Sequence, residues 1–190
     1  MIRTAALRLA LAGAIAFAAT GGAQALTLYK AFLDGAQEVP PVTTSATGFA
    51  LLGLVDTQDR LSLEMTVEGI VIDDVLGIHI HAAPAGANGS IAFSVYGAGI
   101  GTTDPDTVVT PAAGGFSLVS EWGPGDDSFA SLADNLGALR SEGLYLNVHT
   151  LEFNAGEIRG QIEAVPLPAA GFALLAGVGA LAALRRARRA

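Results

Sequence analysis

The chain has 190 residues, with 10 Lys+Arg against 18 Asp+Glu, three His and no Cys, for a formal charge of −8. All 18 acids lie between Asp34 and Glu163, and the stretch from Leu26 to Ala164 holds only four cations, Lys30, Arg60, Arg140 and Arg159, so its net charge of −14 excludes nucleic acid as a partner. A mean hydropathy of +0.49 excludes a disordered acidic chain, and the lack of cysteine excludes a disulfide scaffold, a thiolate zinc site and a cysteine nucleophile.

Residues 1–25 read as a secretory signal peptide. Arg3 and Arg8 supply a basic start, Leu9 to Ala19 is an uncharged stretch of 11 residues, and Ala23-Gln24-Ala25 is a small-x-small cleavage site. An uncleaved anchor is the alternative, but 11 residues fall short of the roughly 20 that a helical span needs. The mature domain then covers residues 26–164, long enough to bury a core without disulfides.

Strands are predicted at Leu26–Leu33 and Thr47–Val55. A third follows where Leu61, Leu63, Met65 and Val67 alternate with Ser62, Glu64, Thr66 and Glu68. Val75–His81 and Ser90–Tyr96 come next. Gly97 to Gly115 has no period and reads as a long surface loop. Its Asp104-Pro105-Asp106, and Asp126-Asp127 further on, offer hard oxygen ligands for calcium, though neither has an EF-hand spacing. After a strand at Phe116–Glu121, the spacing of Phe129, Leu132, Leu136 and Leu139 predicts one amphipathic helix, with Ser128 as N-cap and Gly143 past its end. Leu144–Thr150 and Gly156–Glu163 complete eight strands. Many short antiparallel strands with a single crossover helix predict an all-β sandwich or Greek-key barrel.

The histidines carry the only chemical signal. His79 and His81 are two apart and share one face of their strand, opposite Ile78 and Ile80. If the isoleucines face the core, both imidazoles stand on the outer surface. His149 is set the same way against Leu146 and Val148. Three such imidazoles on neighbouring strands suit copper or zinc, with metal lost below about pH 6.5 as the rings protonate. The alternative is three isolated surface histidines. Keeping Leu146 and Val148 on one face with Ile158 and Ile162 requires paired residue numbers with an even sum, and centring the turn near Phe153 makes that sum 306. Asn147 then faces Arg159, and His149 faces Glu157, whose carboxylate is expected to accept the second ring N–H of His149 from outside the ligand shell.

Four ordered motifs, Gly35–Gly48 (GAQEVPPVTTSATG), Ile78–His81 (IHIH), Leu144–Thr150 (LYLNVHT) and Gly156–Ile162 (GEIRGQI), together resemble the CHRD domain, found in chordin and in many bacterial exported proteins. Two departures are the Ala82-Ala83-Pro84 that stands where members often have Gly-Pro-Ala, and a longer stretch from Gly97 to Asp127. The resemblance implies an immunoglobulin-like barrel similar to Cu/Zn superoxide dismutase. In that pattern a His-x-His strand and a later histidine hold copper, the roles of His79, His81 and His149. With no fourth histidine to bridge a second metal, dismutase activity is not expected, and no enzyme is.

The C-terminus has Val165-Pro166-Leu167-Pro168, an uncharged apolar run to Leu184, then Arg185, Arg186, Arg188 and Arg189. It spans 20 residues from Val165 to Leu184, enough for a membrane helix with the arginines left inside. A plain membrane anchor fits this. The layout resembles the VPLPA-CTERM type of sorting tail, a variant of PEP-CTERM, which implies transient insertion in the inner membrane and removal by an exosortase-type protease. Two readings of function follow: an exported binding module holding copper or zinc, or a metal-free structural domain that meets a component of the cell surface or matrix.

Overall fold

Alternation decides the sheet. Along β3 (Leu61–Glu68) every odd-numbered residue is buried and every even-numbered one exposed. The same rule orients β1 (Thr27–Asp34), β2 (Thr47–Leu54) and β7 (Gly115–Trp122). The computed structural model describes residues 26–166 apart from 56, 100, 127 and 128. The expected signal peptide and all but the first two residues of the expected sorting tail lie outside these. Among the described residues no helix is long and apolar enough to cross a membrane.

The remaining elements are β4 (Val75–Ala82), β5 (Ser90–Gly97), β6 (Val108–Ala112), α1 (Leu132–Arg140), β8 (Leu144–Thr150), β9 (Ile158–Gln161) and β10 (Glu163–Ala164). One antiparallel sheet runs in the order β5-β4-β8-β9-β1-β2-β3-β7-β6, with β10 also paired to β1. It curls on itself around an apolar core drawn from both arms, including Leu52, Leu63, Ile78, Ile80, Leu146, Val148 and Ile158. Trp122 from the β3–β7 arm stacks on Phe93 from the β4–β5 arm, with ring centroids 5.2 Å apart and planes within 5°. This is the all-β sandwich or barrel expected, and each buried aliphatic side chain stabilises it by roughly 1.5–3 kcal/mol.

The helix joins the two arms, since β7 lies beside β3 and β8 beside β4. It begins later than its period predicts. Ser131 is the N-cap: its hydroxyl accepts from the Asp134 N–H at 3.2 Å and donates to the Asp134 carboxylate at 2.7 Å. Leu132 and Leu139 are buried, whereas Phe129 stays exposed outside the helix. A second correction concerns the predicted loop from Gly97 to Gly115. Val108–Ala112 within it forms β6 and pairs with β7 as an outer hairpin strand. Its side chains are largely exposed, so no hydrophobic period marks it.

Candidate metal centre

β4 lies between β5 and β8, placing His79 opposite Asn147, His81 opposite Tyr145 and Gly77 opposite His149. Ile78 and Ile80 point into the apolar core, so the three histidines share the other face of the sheet, as the alternation requires. That face is not a surface. His79, His81 and His149 are only 0 %, 8 % and 7 % exposed, and Tyr145, Asn147 and Arg159 are buried with them. Loops cover it. Gly101, in a left-handed conformation at φ 78°, lies so close to the Nε2 edge of His79 that a Cβ there would stand 2.8 Å from that nitrogen and 2.5 Å from Ser94 Oγ. The Ser94 hydroxyl pins this loop, donating to the Thr102 carbonyl at 2.6 Å and accepting from its N–H at 3.2 Å.

The ring nitrogens of His79, His81 and His149 offer one ligand atom each, all within 4.8 Å of one another. Two tautomers are fixed by the backbone. His81 Nδ1 is 3.0 Å from the Gly89 carbonyl and His149 Nδ1 is 2.9 Å from the Asn154 carbonyl, so each Nδ1 carries the proton and donates. The Nε2 lone pairs of the two rings then face each other across 3.4 Å. Two ligands of a tetrahedral ion with metal–nitrogen bonds of about 2.0–2.1 Å stand roughly 3.3–3.4 Å apart. The His81–His149 pair therefore fits a copper or zinc ion, and His79 offers a third nitrogen within 4.8 Å of both.

Protons do not fill this gap near neutral pH. Burial pushes His81 down from 6.5 to about 4; His149 and Arg159 add to the fall, and the Gly89 carbonyl opposes it. Burial likewise lowers His149, against the Asn154 carbonyl. Both imidazoles are neutral and ready to ligate.

The β8–β9 register is the one expected. Asn147 pairs with Arg159 and Val148 with Ile158. The Glu157 carboxylate, however, does not take the His149 proton. Its oxygens accept from Thr44 and Thr150 hydroxyls, each at 2.8 Å. The turn between β8 and β9 instead brings the neutral Asn154 carbonyl to His149, which orients the ring.

Sequence reasoning missed a stacked column behind His81. Tyr145 stacks on His81 with centroids 5.0 Å apart, and the Arg159 guanidinium lies 3.5 Å over the other side of Tyr145. Gly89 closes a small ring, accepting from His81 and donating its N–H to Tyr145 Oη at 3.2 Å. Glu38 was missed as well. It is buried, and its carboxyl is raised from 4.5 to about 7 by desolvation, which outweighs the pull of Arg159 and the Asn147 hydrogen bond. Glu38 Oε1 and Asn147 Oδ1 lack partners, and both flank the point where a Gly156 Cβ would stand, at 2.7 and 2.5 Å. A proton on Glu38 directed at Asn147 Oδ1 would satisfy both atoms. The signal for this layer was the composition of β8, which alternates Leu and Val with Tyr, Asn and His, where solvated strands carry Glu and Lys.

Among the described residues, which leave out Asp127, the acidic segments form no comparable site. Asp104 is buried and Oδ1 accepts from the Asp106 N–H at 2.9 Å, an ordinary turn contact. Among the described residues the histidines are the one group of three or more potential donors.

The model of the CHRD domain family matches residues 29–162. A search of curated proteins and a search of solved structures each return no match.

Proposed function

The chain belongs to the CHRD domain family, and we propose that it is an exported binding module that holds one copper or zinc ion through His79, His81 and His149. The observation that carries this reading is the pair of Nε2 lone pairs 3.4 Å apart, with each Nδ1–H committed to a carbonyl. Such a pair is repulsive until a cation lies between the rings. His79 completes the set through Nδ1, because Gly101 closes its Nε2 edge. Binding displaces no proton from the neutral rings at pH 7, and the reading contains no catalytic step. Titration of untagged full-length protein with Cu²⁺ and Zn²⁺ tests it. One ion per chain is expected, with affinity reduced at least about tenfold in His149→Ala; unchanged binding in that variant would place the ion elsewhere.

Export and processing belong to the same proposal, supported by the sequence of both ends. The mature form begins near Leu26 and loses most of the segment after Pro168 to an exosortase-type protease. Intact mass of the protein from native cells tests this; an extracellular species retaining Arg185–Arg189 refutes it. An exposed row on the outer sheet favours a second, metal-free role in contact with a surface or matrix component. There Phe32 meets Phe49 with centroids 5.0 Å apart, beside exposed Leu51, Val119 and Val108.

A further inference from the structure

We infer that the three-histidine pocket selects a monovalent soft cation, Cu⁺, over Zn²⁺ and Cu²⁺. This rests on the reading of the histidines as ligands and adds the charge of the ion.

Four observations converge. The donors are neutral: the group holds three imidazoles and no carboxylate. The pocket is dry. The cost of moving an ion from water into a low-dielectric interior grows with the square of its charge, so a divalent ion forfeits about four times the solvation of a monovalent one of equal size. The fixed charge that acts on His81 is positive. Arg159 is 2 % exposed and donates to two neutral acceptors, Asn88 Oδ1 at 3.3 Å and the Pro84 carbonyl at 3.2 Å. It has no place among the described ion pairs, which are Lys30–Glu163 and Arg60–Glu121. Its guanidinium is separated from His81 only by the Tyr145 ring. The buried carboxyls on this face bond elsewhere, Glu38 to Asn147 and Glu157 to Thr44 and Thr150. Finally, the group offers three donors, with no fourth among the described residues. Zinc is ordinarily four-coordinate and Cu²⁺ prefers a tetragonal field, whereas three nitrogen donors in a plane satisfy Cu⁺.

Competition titrations on untagged full-length protein test this. Cu⁺ is titrated anaerobically against a chromophoric Cu⁺ chelator, and Zn²⁺ and Cu²⁺ against chelators of matched strength, each also on His149→Ala. The expected result is one Cu⁺ per chain, held on the order of a thousandfold tighter than either divalent ion and dependent on His149. Arg159→Gln keeps a donor for Asn88 and removes the charge, and should narrow the Cu⁺ to Cu²⁺ preference by about tenfold. His149-dependent binding of Zn²⁺ or Cu²⁺ as tight as that of Cu⁺ overturns the inference while leaving the metal site intact. Failure of all three ions to bind in a His149-dependent way overturns the metal reading itself. Should Arg159→Gln not fold, the wild-type ratio alone decides.

Discussion

Replacing Glu38 with glutamine should stabilise the protein above neutral pH and leave it unchanged in acid. The carboxyl is held at about 7 in the fold against 4.5 for its ordinary value. Between those values the folded state binds more protons than the unfolded one, so the contribution of Glu38 is full below about pH 4.5 and is lost as pH rises through about 7. The displacement is equivalent to about 3 kcal/mol. Glutamine cannot ionise, and its amide can accept from Asn147 Nδ2 while offering Asn147 Oδ1 the donor that a protonated Glu38 would supply. Urea denaturation at pH 8 should therefore show Glu38→Gln more stable than wild type by about 2–3 kcal/mol, and at pH 4.5 within about 0.5 kcal/mol. His81 supplies the opposite slope. Held down from 6.5 to about 4, it contributes stability that is full above pH 6.5 and lost as pH falls towards 4. The two slopes oppose each other in the wild type between 4.5 and 6.5, and the variant keeps the slope of the buried histidines, His81 and His149, without that of Glu38. If Glu38→Gln is instead less stable than wild type at pH 8, Glu38 is an anion serving Arg159, and the protonated pair with Asn147 is refuted.

Three further outcomes follow from the same geometry. Metal retention should persist well below pH 6.5 and fail only as pH approaches the value of about 4 held by His81; loss centred at 6–6.5 would mean the rings titrate as exposed imidazoles. Glu157→Gln should cost about 1–2 kcal/mol by disturbing the Thr44 and Thr150 hydroxyls, with metal affinity within about threefold; a tenfold loss of affinity at unchanged stability would give Glu157 the His149-orienting role that the strand register alone suggests. Gly101→Ala combines φ strain with a contact against His79 and Ser94, and should cost about 1–2 kcal/mol and weaken metal at least about tenfold; wild-type affinity in this variant would show that the loop does not set the His79 ring.

The strands and the side-chain facing of the histidines were legible because period-two alternation is a local property. Ile78 and Ile80 fix where His79 and His81 point whatever the rest of the chain does. What covers that face is not local. Burial of the rings comes from loops at Gly101, Gly89 and Asn154, whose contacts are set by tertiary packing and leave no periodic trace. The β8–β9 register was also readable, since a short turn and one shared core face leave few alternatives, and it brought Asn147 to Arg159. It could not show the partner of a side chain at the end of the ladder. Glu157 lies where two threonines compete for its oxygens, one of them, Thr44, 113 residues away in sequence. Ser131 rather than Ser128 caps the helix because Asp134 is there to answer it, a three-residue spacing that outweighs the apolar period at Phe129.

Nitrogen-15 NMR of the histidine rings, before and after one equivalent of Cu⁺ or Zn²⁺, tests the metal site most directly. The geometry predicts that His81 and His149 are neutral Nδ1–H tautomers at pH 7. One equivalent of ion should move the Nε2 signals of both rings and one nitrogen of His79, with both Nδ1–H groups retained. Nε2–H tautomers, or three ring spectra unmoved by either ion, would contradict it.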